Sequence, residues 1–293
     1  MQPGEVEQLG RRVVPGTGSL DIEHLSSGLV NDLYRVVRDD ATFAFRAARE
    51  RPVHLGQDLA WEAKILLEAA GMGIAPPLEY CDPERGVLVM RWIDGRSWTP
   101  TEAHTSACIG RFAALLRRVH ALPIPAPARN MNPLSWMDVY GAALSRREPG
   151  GPDPALQKTA VLAAAELAAY PKPQGVVCHS DLHSQNLIEN DAALLLLDWE
   201  YVHVSDPLWD VAGWCANNNF DAPTRRHLLA SYLGATPTVE EAARCQLLGW
   251  LYDYICLLWS QLFLYLRGDP GGLIGARATH LDARLRIPAN YRP

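Results

Sequence analysis

The chain has 293 residues, 48% hydrophobic and 20% charged, which is enough apolar material for one large or two modest globular domains. Lys and Arg total 27 against 33 Asp and Glu, a net charge of −6, which argues against nucleic acid as a partner and is compatible with a cationic small substrate. The six cysteines form no C-x-x-C pair and the first residues, Met-Gln-Pro-Gly-Glu, carry no secretion pattern, so reduced thiols in a cytoplasmic protein are expected rather than a zinc site or disulfide framework.

After an irregular start, residues 19–24, 25–37 and 42–48 predict three antiparallel strands. Between the first two lies Ser26-Ser27-Gly28, where a glycine and two hydroxyls can bring backbone N–H groups against phosphate oxygens; an ordinary hairpin turn uses the same residues. The third strand ends in Phe43-Ala-Phe45-Arg46. Phosphoryl transfer from ATP needs a cation at the end of such a strand and a Glu on the next helix to hold it. Arg46 and Glu62 stand in those positions, with a surface salt bridge as the plain alternative. The helix over 57–70 stops at Gly71-Met-Gly73, and Pro76-Pro77 opens strands at 78–81 and 86–92. Backbone groups from Met90 to Trp92, ahead of Ile93-Asp94-Gly95, are candidates for pairing with an adenine edge. Residues 1–94 thus read as an α+β lobe of five strands and one helix.

Helices are predicted over 99–121, 133–147 and 154–169. The organising stretch follows. Apolar runs at 176–178 and 194–197 each deliver an acidic loop, the first with His179 and Asp181, the second with Asp198, and Asn190-Asp191 turns the chain between them. An Asp, an Asn five residues on (Asn186) and a second Asp after a hairpin suit phosphoryl transfer. Asp181 can take the proton of an attacking hydroxyl, His179 braces the loop, and Asn186 and Asp198 offer the oxygen ligands that Mg²⁺ prefers. Helices then follow from Asp206-Pro207, over 225–233, 239–267 and 273–287; Asp210 reads as a helix-cap charge. The run 247–266 has the length of a membrane span, but Asp253 at its middle would cost roughly 2.5–3.5 kcal/mol in a bilayer, and Thr238 and Glu241 form a capping box ahead of it. A buried helix is expected, and no span. Trp250 and Tyr254, at i and i+4, share a face that could meet an ammonium group or simply pack in a core.

His179-Ser-Asp181-Leu-His183-Ser-Gln-Asn186 followed by Asp198-Trp-Glu-Tyr resembles the aminoglycoside phosphotransferase and choline kinase superfamily, most of all its bacterial choline/ethanolamine kinase branch. The resemblance implies a two-lobe, protein-kinase-like fold of the α+β class, with a small antiparallel sheet lobe at 1–94 and a mainly helical lobe at 95–293. It implies ATP and Mg²⁺ as cofactors, Ser27 and Gly28 in the nucleotide-covering loop, and Asp210 as an anchor beneath the catalytic loop. It places Trp259, Glu200 and Tyr201 at the acceptor, and Trp214, Trp250 and Tyr254 are grouped with them. Asn217, where the family often has an acidic residue, and aliphatic Leu273-Ile274, where it has an aromatic, depart from the pattern. Three readings stand: a kinase of a small cationic alcohol such as choline or ethanolamine, an aminoglycoside or thiamine phosphotransferase, and a catalytically silent kinase-like binding module.

Overall fold

The computed structural model describes residues 3–27, 30–48, 55–146, 151–269 and 271–287. In chain order the elements begin with α1 (Pro3–Val13), β1 (Leu20–Ser27), β2 (Asn31–Arg38), β3 (Ala41–Ala48), α2 (Leu59–Gly71), β4 (Leu78–Asp82) and β5 (Val87–Arg91). Then come α3 (Pro100–Ala103), α4 (Ser106–His120), α5 (Pro133–Ser145), α6 (Pro154–Ala169), β6 (Val176–Cys178), β7 (Leu187–Glu189), β8 (Leu194–Leu196) and β9 (His203–Ser205). The chain closes with α7 (Leu208–Asn217), α8 (Ala222–Leu233), α9 (Val239–Arg267) and α10 (Leu273–Leu285). Among the described residues, one compact unit comprises those within 1–53, 57–97 and 185–201, and the other those within 54–56, 98–184 and 202–293.

The first unit is built on an antiparallel sheet of five strands in the order β1-β2-β3-β5-β4. Alternation sets its buried face: Tyr34 and Val36 on β2 and Phe43 and Phe45 on β3 point one way, where Val6 and Leu9 of α1 cover them. Residues before 19, irregular by local pattern, contain α1, a helix because Val6 and Leu9, one turn apart, find this apolar face, a tertiary cause that local pattern does not carry. On α2, Asp58 caps the start by accepting from the Trp61 N–H at 2.9 Å, and Ile65, Leu66 and Ala69 bury one side. The β7–β8 hairpin returns to this unit through Leu196 N–H donating to Ile74 C=O at 2.8 Å and a reciprocal pair of 2.9 Å bonds between Arg96 and Glu189. Gly95 is needed beside that bridge, since a Cβ there would lie 2.6 Å from the Glu189 carbonyl oxygen.

The second unit is mainly helical. One continuous helix was expected over 99–121; two form, because Thr105 Oγ1 accepts from the Cys108 N–H and starts a fresh helix where α3 ends. The 29-residue α9 runs through the middle, packed by α5, α6, α7 and α10. It is long and apolar enough to cross a membrane, yet 72% of its most apolar window is buried inside the protein, so it serves as a core helix here. Asp253 on it is paired with Arg284 of α10. Strands β6 and β9 pair antiparallel, Val176 opposite Ser205, and hold the two ends of the organising stretch together. Cys178, Cys215 and Cys245 are buried free thiols.

Candidate active site

In the first unit, the site starts from β3. Arg46 alternates with the buried Phe43 and Phe45 and so projects from the opposite face of β3, away from the face that α1 covers. Its Nη2 donates to Glu62 Oε2 at 2.5 Å and its Nη1 to Asp198 Oδ1 at 2.9 Å. With Arg46 12% and Glu62 2% exposed, this is a buried pair and not a surface salt bridge. Burial works against the guanidinium charge, but the carboxylates of Glu62, Asp198 and Glu200 outweigh it and hold the proton on. Burial raises the Glu62 carboxyl above its ordinary value despite the pull of Arg46, and Glu62 Oε1 is buried with no hydrogen-bond partner among the described residues.

The β7–β8 hairpin puts Asn186 and Asp198 at one corner. Leu187 pairs with Leu196, and one step further the Leu197 N–H donates to the Asn186 carbonyl at 2.8 Å. Asp198 then turns out of the strand at φ +59°, a left-handed conformation that short acidic side chains tolerate. An amide oxygen and a carboxylate so placed are the hard oxygen donors Mg²⁺ takes, and Asp198, 39% exposed and bonded to Arg46 through Oδ1, has Oδ2 to offer an ion. The donor set fits the metal. Two residues on, Glu200 is buried and accepts from Asn31 Nδ2 at 2.8 Å; burial, then the Asp198 charge, pushes its carboxyl up to about 8 against the pull of Arg46. Asn31, the last residue of the expected nucleotide loop, opens β2. Of that loop, Gly28 lies outside the described residues and Ser27 is described only as the end of β1, opposite Asp32.

In the second unit, the loop after β6 is fixed from within the protein. The buried Asp210 carboxylate accepts from the backbone N–H groups of His179 and Ser180, both at 2.8 Å, and from His120 Nε2 at 3.2 Å. Burial favours its protonated form, but the hydrogen bond and charge of His120, the charge of His179 and the Ser180 N–H hold it below the usual carboxylate range. His120 Nδ1 meets the Tyr232 hydroxyl at 2.7 Å. Ser180 takes φ +72° and is held there by its hydroxyl, which donates to Cys178 C=O at 3.3 Å and meets His203 Nδ1 at 3.0 Å. The buried His179 accepts from the Asp181 N–H through Nδ1 at 3.3 Å, so it braces the loop from inside. Asp181 itself is 26% exposed, with His183 Nε2 at 3.9 Å. His120, Cys178 and Asp210 cluster closely enough to suggest a metal, but the Asp210 oxygens already accept from N–H donors, and the cluster acts as the loop's anchor.

Polar side chains on the helices hold the residues on either side of Asp181. Asn217 Nδ2 donates to Leu182 C=O and to the Tyr252 hydroxyl, both at 2.9 Å, and Tyr252 reaches Ser180 C=O at 3.4 Å. Neither His120, His203 nor Tyr252 was singled out from the sequence; their sole signal is the contacts they make.

Trp214 is fully buried and stacked on Phe112 at 3.9 Å between ring centroids. Trp250 and Tyr254 do share a face and stack at 5.8 Å, but both are buried, and Trp250 Nε1 donates to Leu285 C=O at 3.3 Å. The aromatic face is therefore core: helical spacing fixes which residues are neighbours, and the helices packed around α9 decide that they are covered. Trp259 is partly exposed and stacks on Phe263 at 5.1 Å. Tyr201 is partly exposed at the end of the first unit's last segment. On β5, Met90 is paired with both Ala44 and Leu78, and the Trp92 N–H donates to Thr42 C=O at 3.0 Å, so sheet bonds already use that N–H.

The sequence profile of the phosphotransferase enzyme family (APH) matches residues 21–245. Protein LicA of Haemophilus influenzae is 34% identical over 59 residues, which cover 20% of this chain and 22% of that relative, so the chain matches about a fifth of its length. The choline/ethanolamine kinase family protein from Mesorhizobium loti is similar in structure, with a TM-score of 0.77, 24% identity and coverage of 99% of this chain and 97% of that one. Choline kinase LicA from Streptococcus pneumoniae gives a TM-score of 0.78 at 19% identity, over 96% of this chain and 97% of that one. The fold is thus the α+β, kinase-like one that the catalytic stretch implied. With most of its length matched, the chain belongs to the phosphotransferase enzyme family.

Proposed function

We propose that the protein is an ATP- and Mg²⁺-dependent kinase that transfers the γ-phosphoryl group to the hydroxyl of a small amine-bearing alcohol of the choline or ethanolamine kind. In this reading residues 1–94 cover the nucleotide, and 95–293 carry the catalytic loop and the acceptor pocket. Asp181 orients the acceptor hydroxyl and takes its proton as the bond to phosphorus forms. Arg46, kept charged by Glu62, holds the α- and β-phosphates through a planar fork. Asn186 and Asp198 hold Mg²⁺, which neutralises charge on the phosphate oxygens. The observation that carries the reading is the Asp210 carboxylate accepting two consecutive loop N–H groups, because it fixes the backbone that presents Asp181.

Support for a small acceptor over an aminoglycoside comes from the C-terminal carboxylates. Asp253 pairs with Arg284, Asp282 with Arg286, and Asp269 accepts from the N–H groups of Ile274 and Gly275. A polycation needs acidic groups that are not already engaged in this way. Likeness to choline kinases favours the same side. The test is ADP release from Mg²⁺-ATP with choline, ethanolamine, thiamine and kanamycin, with Asp181→Ala as control. Turnover of a small amine that disappears in the variant supports the kinase; turnover of kanamycin alone moves the acceptor to aminoglycosides; ATP binding without turnover of any alcohol favours the silent module.

A further inference from the structure

Within the second unit, β9 pairs with β6 so that His203 stands across from Cys178, beside the turn that leads to Asp181. His203 and Trp136 of α5 are both buried, their rings edge-on with centroids 5.3 Å apart, and the indole Nε1–H donates to His203 Nε2 at 3.4 Å. An indole nitrogen can only donate, so Nε2 accepts and the proton of the neutral ring is assigned to Nδ1. Nδ1–H then donates to Ser180 Oγ at 3.0 Å, and the hydroxyl in turn donates to Cys178 C=O at 3.3 Å. One direction of donation runs from Trp136 through His203 and Ser180 to the end of β6.

Ser180 needs such a restraint. At φ +72° it occupies the left-handed region, which is uncommon for a serine because Cβ crowds the backbone carbonyl there. Asp210 fixes the peptide ahead of it by accepting the Ser180 N–H at 2.8 Å, but rotation about the Ser180 φ and ψ decides where Asp181 goes. Beyond that N–H, the Asp181 N–H reaches His179 Nδ1 at 3.3 Å and the Tyr252 hydroxyl reaches Ser180 C=O at 3.4 Å. The bond from His203 to the Ser180 hydroxyl, at 3.0 Å, is shorter than either, and it acts on the side chain whose Cβ opposes the left-handed state. We propose that His203 is a positioning residue: by holding the Ser180 hydroxyl through Nδ1–H it keeps Ser180 left-handed, and so keeps the Asp181 carboxylate presented to the acceptor hydroxyl. The inference rests on the kinase reading above and adds to it a residue that acts only through the loop.

Paired substitutions test it. In His203→Asn the amide nitrogen takes the place of Nδ1 and can still donate to Ser180, whereas in His203→Gln the amide reaches the place of Nε2, toward Trp136. With the acceptor the wild type uses best, His203→Gln should lower kcat by about tenfold to a hundredfold, as a misplaced catalytic group does, leave KM for ATP unchanged, and be largely rescued in His203→Asn. Glycine takes the left-handed state unaided. In the Ser180→Gly background His203→Gln should therefore cost nothing further, whereas a packing defect at the buried imidazole costs the same in both backgrounds. Should the imidazole prove irreplaceable without unfolding, Ser180→Ala, which keeps Cβ and loses the hydroxyl, should be slower than Ser180→Gly. An equal loss from His203→Gln in both backgrounds overturns the proposal, as do equal losses in His203→Asn and His203→Gln or equal rates in Ser180→Ala and Ser180→Gly. Amide exchange over residues 179–183 gives a reading that needs no turnover: His203→Gln should speed it in the wild-type background and leave it unchanged in the Ser180→Gly background. If the wild type turns over no alcohol, the kinase reading fails by itself, and unchanged exchange in His203→Gln then overturns the hold of His203 on the loop separately.

Discussion

Arg46 and Asp198, 152 positions apart in the chain, are joined by a single hydrogen bond of 2.9 Å from Nη1 to Oδ1, while the other end of the same guanidinium is held by buried Glu62. One cation thus fixes a strand, a helix and a hairpin end in the first unit. Removing it leaves Glu62 buried with both oxygens unanswered.

Arg46→Ala is accordingly expected to cost about 3–5 kcal/mol of stability, the range for breaking a buried pair from one side. The double variant Arg46→Met/Glu62→Leu should recover most of that, because well-packed apolar residues replace a buried pair at little cost. It should not recover ATP turnover. Thermal unfolding and ADP release on the three proteins measure both; a double variant no more stable than Arg46→Ala would show that the pair is not the source of the loss.

Asp210 holds the loop that carries Asp181 in the second unit. Its folded carboxyl sits below the usual range, so its contribution is complete above about pH 4, the unfolded value, and is lost as the pH falls through the lower folded value. Asp210→Asn gives up charge-assisted bonds worth roughly 1.5–3 kcal/mol each, and turns an NH₂ toward a backbone N–H. The melting temperature should drop near neutral pH and depend less on acid than the wild type's. The rate should fall far more than the affinity for ATP. Wild-type turnover in the variant would remove the loop anchor from the argument.

Glu200 carries the opposite sign. Its folded carboxyl is pushed up to about 8, so the folded state holds the proton more tightly than the unfolded chain. The stability this contributes is full below about pH 4.3, the unfolded value, and drains away as the pH rises toward 8. Glu200→Gln, which can still accept from Asn31, should therefore melt higher than the wild type at pH 8–9 and flatten the decline between pH 5 and 8, both measured with chelator present. Parallel melting profiles would mean that Glu200 is ionised across the range.

Much of this was legible in the chain, and for identifiable reasons. The limits of α9 follow from a capping box and a glycine stop, and the β7–β8 hairpin from a short strand, the Asn190-Asp191 turn and the apolar run at 194–197, whereas the run at 176–178 pairs with β9; the first two are local signals. The Arg46–Glu62 pair was readable because it rests on a strand end and the next helix. What was not legible depends on partners distant in sequence: α1 forms on the sheet's apolar face, Asn31 finds Glu200, and Trp250 and Tyr254 are buried by the helices packed on α9. An aromatic pair at i and i+4 looks the same in a cage and in a core until the covering helices are placed.

Gly213 shows how such a contact reaches the site. It lies on α7 where a Cβ would come within 2.8 Å of Tyr252 Cε2 and 3.2 Å of Cδ2 and Cζ. In an open helix Gly→Ala gains up to about 1 kcal/mol from helix propensity. Here the added methyl meets a ring that is 3% exposed, and overpacking of this kind costs about 1–3 kcal/mol. The ring cannot yield without moving its hydroxyl from Asn217 and Ser180, so Gly213→Ala should lower the rate as well as the melting temperature. Tyr252→Phe removes the hydroxyl and keeps the ring. If the defect travels through that hydroxyl, the rate loss in the double variant Gly213→Ala/Tyr252→Phe is less than the sum of the two single losses. Additive losses would instead confine the effect of Gly213 to packing, and a Gly213→Ala protein that melts higher than the wild type would contradict the close approach itself.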